Sequence, residues 1–446
     1  MSKIVFTILI LSLSFQSYSH AKKQNVIIIV IDTLAANHLQ SYGYYRKTAP
    51  YINSFGKKSI LFKNAYTNAS YTLPSHATLF TGVFPNLHNI TSLFKKNTLP
   101  KKYKTIFEIL KKKDYQTSAF FREKKELSRK FGFFRGVDYF SLYDAFDPAH
   151  SQRVKKWFNK QNHEQKSFIA FMHTNLVHTP YLSTNKELQL FTNKNYKGQI
   201  IGDSEKFIEY LKKKEVQKKR KQDKINEKLI YKNHFFSKNN PKSKYMHGKN
   251  IWKSMVKYYN PTDDQRLKNL YDANILFLDK QLEKFFTFFN KLEISKNTII
   301  ILTSDHGETF NKNGLYYHAN LYKDVLHIPL MLKIPNLKPK IIKQDVQLAD
   351  IVPTILTLLS IKDSKVSGVS LYPLIKNIKT ENIHQHIISY SVNHSLSILN
   401  QKYKFIYYPQ QLNETYNRIK DSKEEKNITN KVNTNYFLQL AKKQLY

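Results

Sequence analysis

Three uninterrupted apolar stretches constrain the fold of this chain more than any other feature. QNVIIIVIDT (24–33), FIAFMHT (168–174) and TIIILTSDHGE (298–308) are rich in β-branched and aromatic residues without polar alternation. A half-exposed strand alternates polar and apolar side chains, so a run that does not alternate needs both faces buried. That is the habit of central strands in parallel sheets. Between the runs lie helix-like segments such as YDANILFLDKQLEKFFTFFNKL (271–292), with apolar residues at helical spacing. Alternating strands and helices predict an α/β fold, a doubly wound and mainly parallel sheet flanked by helices. Ligands of such sheets bind beyond the carboxyl ends of the strands. Asp32, His173, His178, Asp305 and His306 all fall at or just past strand ends, so a single cleft can collect them.

The stretch SYTLPSHATLFTG (70–82) raises a question about a hydroxyl. Thr72 sits at the start of a helix-like run with Pro74 in its first turn and Gly82 at its end. A helix N-terminus offers unpaired N–H groups and partial positive charge, a natural seat for an anion. Thr72 either caps that helix or attacks something bound there; on this stretch alone, capping is the default.

Asp32, Asp305 and His306 are residue types that hold a divalent cation, and the Thr72 oxygen could complete the set. Hard oxygens with one imidazole suit Zn²⁺, Mn²⁺ or Ca²⁺, and the imidazole tilts the choice toward the first two. Singly, a strand-end Asp is usually a cap and a His a satisfied polar residue; several at separate strand ends make coincidence the poorer account. A metal-bound hydroxyl has a lowered pKa and becomes a nucleophile near neutral pH. His76, His178 and His318 could then bind the anion's equatorial oxygens or protonate the leaving group. His173 is expected behind the metal ligands, and His327 is expected to be structural.

The remaining sequence sets bounds. The start, MSKIVFTILILSLSFQSYSHA (1–21), reads as a cleaved secretory signal, with export to a periplasmic or extracellular space. There is no cysteine among 446 residues, which excludes thiol catalysis and thiolate metal sites. The formal charge of +39 attracts polyanions, including anionic membrane surfaces. A compositional bias toward Lys, Asn, Ile and Tyr is the better account of that charge, and no nucleic-acid-binding signature accompanies it. Residues 22–375 read as the catalytic domain, interrupted at about 183–262 by a Lys-rich insertion, with 376–446 as a small C-terminal α+β subdomain.

With these residues assembled, the chain resembles the sulfatase family of the alkaline-phosphatase superfamily from residue 24 to about 428. NVIIIVIDTLAANHLQSYGY resembles the family's opening strand and first metal-binding Asp, and TLPSHATLFTG its nucleophile motif. MHTNLVHTPY resembles the segment whose histidine, here His178, contacts the transferred anion; TIIILTSDHGE resembles the strand before the second metal pair. The resemblance implies an alkaline-phosphatase-like fold, one divalent metal and hydrolysis of a sulfate- or phosphate-type ester, with a sulfated or phosphorylated glycan or lipid head group as substrate.

The departures bear on the chemistry. Sulfatases attack with a formylglycine hydrate made from Cys or Ser in a C/S-x-P-x-R setting, where this chain has Thr72 and His76. Oxidised Thr would be a ketone, which hydrates poorly. The family's second opening carboxylate is Thr33, and a nearby family Arg and Asp are Ala35 and Asn37. A sister branch transferring phosphoethanolamine or glycerol phosphate uses an unmodified Thr on a metal, with a His 12 residues past the first, as His318 follows His306. That branch carries membrane helices before its catalytic domain. Three readings follow: a metal-dependent ester hydrolase with Thr72 as nucleophile, a phosphoethanolamine-type transferase or phosphodiesterase, and an inactive anion-binding relative.

Overall fold

The computed structural model describes residues 23–91, 98–123, 126–179, 181, 185–191, 196, 261–318, 320–362 and 366–445. The expected leader and most of the Lys-rich insertion lie outside the described residues. The strands in chain order are β1 (Asn25–Ile31), β2 (Ile60–Tyr66), β3 (Gln116–Phe120), β4 (Tyr139–Ser141), β5 (Phe168–Thr174), β6 (Thr298–Thr303), β7 (Thr309–Lys312), β8 (Leu315–Tyr317), β9 (His327–Lys333), β10 (Lys340–Gln347), β11 (Ile387–Tyr390), β12 (Leu396–Leu399), β13 (Tyr403–Tyr407) and β14 (Glu414–Asn417).

The three apolar runs become neighbours, with β1 between β5 and β6 and parallel to both. They form the centre of an eight-stranded sheet in the order β10-β2-β9-β6-β1-β5-β3-β4. Only β9 runs antiparallel to its neighbours. The segment from β6 to β9 starts and ends at the same edge of the sheet, so it needs no crossover helix and the next strand returns in the opposite sense.

Every residue of β1 is buried. Val26, Ile28 and Val30 enter one core with Leu73, Ala77 and Phe80, together with Ile355 of the helix Ile351–Leu358. Ile27, Ile29 and Ile31 enter the other core with Ile275, Leu278 and Leu282 of the helix Pro261–Phe289 and Phe158 of the helix Ser151–Glu164. Each such side chain contributes roughly 1.5–3 kcal/mol on burial. Helices on both faces make this the doubly wound architecture that the unbroken strands called for. The long helix begins ten residues before the segment read from the sequence and stops at Phe289.

Helix α1 (Pro50–Lys57) connects β1 to β2, and α2 (Thr72–Thr81) follows β2. All ten residues of α2 are buried, and it ends at Gly82 with φ 66°. A side chain there would also stand 3.2 Å from Val352 and Val366, so the position takes only glycine comfortably.

Strands β11–β14 form a separate antiparallel sheet, backed by the helix Asn435–Leu445 through Phe437 against Phe405. The sequence reading found β11, β13 and the helical tail, and the structure adds β12 and β14. This sheet buttresses the entry to α2: Ser70 N–H donates to the Tyr390 carbonyl at 3.0 Å, and Tyr390 N–H to that of Asn68 at 2.9 Å. Among the described residues no helix is long and apolar enough to cross a membrane.

Candidate active site

The sheet brings Asp32, from the end of β1, to Asp305 and His306, which follow β6. Their oxygen and nitrogen ligand atoms all lie within 4.8 Å of one another, and all three residues are buried. Thr72, the first residue of α2, faces the same group, with Oγ1 3.3 Å from His306 Nε2. The helix has Tyr71 as its N-cap and no side-chain cap. Thr72 therefore does not cap the helix; its hydroxyl is turned to the carboxylate cluster instead.

Backbone contacts fix the imidazoles. His306 Nδ1 lies 3.0 Å from the Gly307 carbonyl, which can only accept, so Nδ1 carries the proton and the lone pair of Nε2 faces the two carboxylates. The loop is held tightly: Gly307 N–H donates to the Val325 carbonyl at 2.7 Å, and a Cβ at Gly307 would lie 2.1 Å from the Asp324 carbonyl oxygen. Asp305 Oδ1 accepts from Thr33 N–H at 3.2 Å and His306 N–H at 2.9 Å. Asp32 Oδ2 accepts from the Asn175 amide.

Two carboxylate oxygens, Asp32 Oδ1 and Asp305 Oδ2, have no hydrogen-bond partner among the described residues although both are buried. Leaving such atoms bare is costly. They stand 3.8 and 3.5 Å from His306 Nε2. A divalent cation between them fits this donor set of two carboxylates, one imidazole and one hydroxyl. Burial opposes charge on Asp32, but the neighbouring histidines, His178 foremost, outweigh it and hold the carboxyl below its usual range. Burial and then the Asp32 charge push Asp305 well above its own. Burial, reinforced by His318, keeps His306 neutral, the form a ligand needs.

The remaining sequence candidates sort by depth. His178 and His318 are partly exposed, with rings 5.4 Å apart, and His318 lies 4.5 Å from the ring of His306. The Nδ1 of His178 is held by the Thr179 carbonyl at 2.6 Å, which fixes that ring. His76 is fully buried behind the cluster, its Nδ1 on the Thr72 carbonyl at 2.8 Å and 3.7 Å from Asp305 Oδ2. Burial lowers its pKa to about 4, so it stands as a neutral ring. His173 packs against it with ring centroids 5.1 Å apart and lies 3.8 Å from Asp32 Oδ2. His327 is elsewhere, its Nε2 on the Lys63 carbonyl.

Sequence reasoning missed Asn175, Tyr181, the role of the Thr33 backbone and that of Glu308. Asn175 and Tyr181 flank His178 in the segment HTNLVHTPY, which was the available signal. Thr33 adopts φ 64°, a left-handed conformation that a β-branched residue rarely takes, and this aims its N–H at Asp305. Its hydroxyl turns back onto the Asp32 carbonyl at 2.7 Å.

Known proteins match the chain along most of its length. The family model described as Sulfatase matches residues 24–361, and that of the N-sulphoglucosamine sulphohydrolase C-terminal region matches 311–446. Arylsulfatase K of Xenopus laevis is 25% identical over 396 residues, covering 82% of this chain and 68% of the relative. The Rattus norvegicus protein is 24% identical over 381 residues, covering 80% and 63%. The chain thus spans about two thirds of the length of these relatives. A protein solved in complex with its substrate D-glucosamine-2-N,6-O-disulfate superposes with a TM-score of 0.71 at 18% identity, covering 95% of this chain and 97% of the other. With the family model covering most of its length, the chain belongs to the sulfatase family, whose members hydrolyse sulfuric esters.

Proposed function

We propose that this chain is a metal-dependent sulfate-ester hydrolase in which the unmodified Thr72 hydroxyl is the nucleophile. The observation that carries the reading is the placement of Thr72 Oγ1, 3.3 Å from His306 Nε2, at an uncapped helix N-terminus beside two bare carboxylate oxygens. Asp32, Thr72, Asp305 and His306 would hold Zn²⁺ or Mn²⁺, with Ca²⁺ less suited to the imidazole. Such a cation, when bound, lowers the pKa of the hydroxyl and offsets the charge of the transferred group.

The residues divide the remaining work. The first-turn N–H groups of α2 face the anion. Thr72 Oγ, its proton lost to solvent, attacks sulfur; the bond to the leaving oxygen breaks, and that oxygen takes a proton from His318. Water then attacks the threonyl ester and gives a proton to His318, and Thr72 Oγ departs. His178 binds an equatorial oxygen. The substrate class that suits a +39 chain is a sulfated glycan, as in the glucosamine disulfate complex of the structural relative. Transfer through an unmodified Thr favours a second reading, hydrolysis of a phosphate-type ester at the same site.

The test pairs p-nitrophenyl sulfate with p-nitrophenyl phosphate and bis-p-nitrophenyl phosphate, using metal-stripped protein with Zn²⁺, Mn²⁺ or Ca²⁺ restored. Metal-dependent turnover of the sulfate ester supports the first reading. Turnover of the phosphorus esters alone selects the second, and inactivity with every metal against all three rejects both.

A further inference from the structure

Glu308 is a fully buried carboxylate that the candidate metal group does not use. Its Oε1 lies 3.1 Å from His318 Nδ1, and its Oε2 accepts from the Tyr181 hydroxyl at 2.8 Å. The backbone is built to bring the two residues together. Glu308 immediately precedes β7 and His318 immediately follows β8, and these strands pair in a hairpin with Thr309 opposite Tyr317. Residues 308 and 318 therefore stand across from each other at its open end. Tyr317 has φ 65°, an unfavourable conformation for a bulky side chain, at the step that leads into His318.

We propose that Glu308 is a positioning residue that makes His318 the proton donor to the leaving group, with Tyr181 holding the carboxylate in place; this rests on the ester-hydrolase reading above. Glu308 Oε1 faces His318 Nδ1 at 3.1 Å, so the Nδ1–H donates to the carboxylate and Nε2 is the nitrogen left to serve the reaction. When the sulfur–oxygen bond breaks, its electron pair stays on the leaving oxygen. That oxygen takes the Nε2 proton of the imidazolium, and the ring becomes neutral with Nδ1–H still on Glu308. Glu308 itself exchanges no proton. Tyr181 occupies the second carboxylate oxygen, so the carboxylate cannot swing away from the ring.

The experiment compares a good and a poor leaving group, p-nitrophenyl sulfate and phenyl sulfate, or the corresponding phosphates if those are the esters turned over. Proton donation matters little to the first and strongly to the second. Glu308→Gln is expected to lose on the order of 10²–10³-fold on phenyl sulfate and less than about 10-fold on p-nitrophenyl sulfate, with unchanged metal content. Tyr181→Phe should shift the ratio of the two rates in the same direction by less. Equal losses on both esters would mean a merely structural role and overturn the proposal. If Glu308→Gln does not fold, the rate ratio of Tyr181→Phe decides: an unchanged ratio overturns it. A wild-type protein inactive on all these esters rejects the hydrolase reading itself, an outcome distinct from wild-type turnover with equal losses in the variants.

Discussion

Thr72 Oγ1 stands 3.3 Å from His306 Nε2, and because His306 carries its proton on Nδ1, the Thr72 hydroxyl is the donor in that contact. In the proposed metal-loaded form both atoms would turn from each other to the cation, so the Thr72 oxygen is already at the place where its hydroxyl would be activated. Thr72→Ala should therefore reduce kcat by on the order of 10³-fold or more while leaving the melting temperature nearly unchanged, since the lost group is one hydroxyl and one methyl. Thr72→Ser should keep measurable turnover because it retains the nucleophile. Steady-state rates and thermal melts of both variants check this; a Thr72→Ala protein with wild-type kcat would remove Thr72 from the mechanism.

Metal removal should destabilise the protein, and one substitution should reverse that loss. Without a cation, Asp32 and Asp305 face each other with bare buried oxygens, a costly arrangement that a divalent ion relieves. Stripped wild type is expected to melt below the metal-loaded form, with Zn²⁺ or Mn²⁺ restoring it. Asp305→Asn removes a carboxyl whose ionisation burial and Asp32 oppose, and can keep the Thr33 and His306 N–H bonds on its remaining oxygen. Its stripped form should be about 1–3 kcal/mol more stable than stripped wild type and melt higher, yet gain little from added metal. Calorimetry with and without chelator tests the sign.

The strained Thr33 offers a change that separates fold from chemistry. At φ 64°, Gly or Asn is more comfortable than Thr, so Thr33→Asn should stabilise the fold by about 1 kcal/mol. Thr33→Asp tolerates the same conformation and returns a carboxylate to the place where the resembling family carries one. It should shift metal preference toward Ca²⁺, as read by competition between Ca²⁺ and Zn²⁺ in a metal-binding titration.

The main sheet was legible because its central strands are buried on both faces, which leaves an uninterrupted apolar signature in 26–31, 168–172 and 299–302. Asp32, Thr72, Asp305 and His306 were legible because strand ends and a helix start are positions that local sequence marks. Glu308 was visible as a residue but not in its role. Its partners are 10 and 127 residues away, one across a short hairpin and one across the fold, and neither distance follows from periodicity. The same holds for Asn175 and Asp32, 143 residues apart. The N-cap default for Thr72 gave way because Tyr71 takes that position and the tertiary contact with His306 claims the hydroxyl.

Acid should weaken the fold through histidines remote from the cluster. Burial holds His88 at about 3 and His327 at about 4, below their unfolded value of 6.5. His88 Nδ1 accepts from Ile90 N–H at 3.0 Å and its Nε2 faces Thr78 Oγ1 at 3.1 Å, while His327 Nε2 donates to the Lys63 carbonyl at 2.8 Å. Above pH 6.5 both rings are neutral in either state and contribute no pH dependence. As pH falls below that value the unfolded chain takes up protons that the native rings refuse, so stability declines, down to the folded values near 4 and 3. Each ring accounts for roughly 3 kcal/mol of that decline by pH 4 at most. His88→Gln and His327→Gln should each flatten the dependence of melting temperature on pH between 6.5 and 4. At neutral pH both should be somewhat less stable than wild type, because each replacement disturbs a buried hydrogen bond. Thermal melts across that range measure the slope, and a variant as acid-sensitive as wild type would clear its histidine of responsibility.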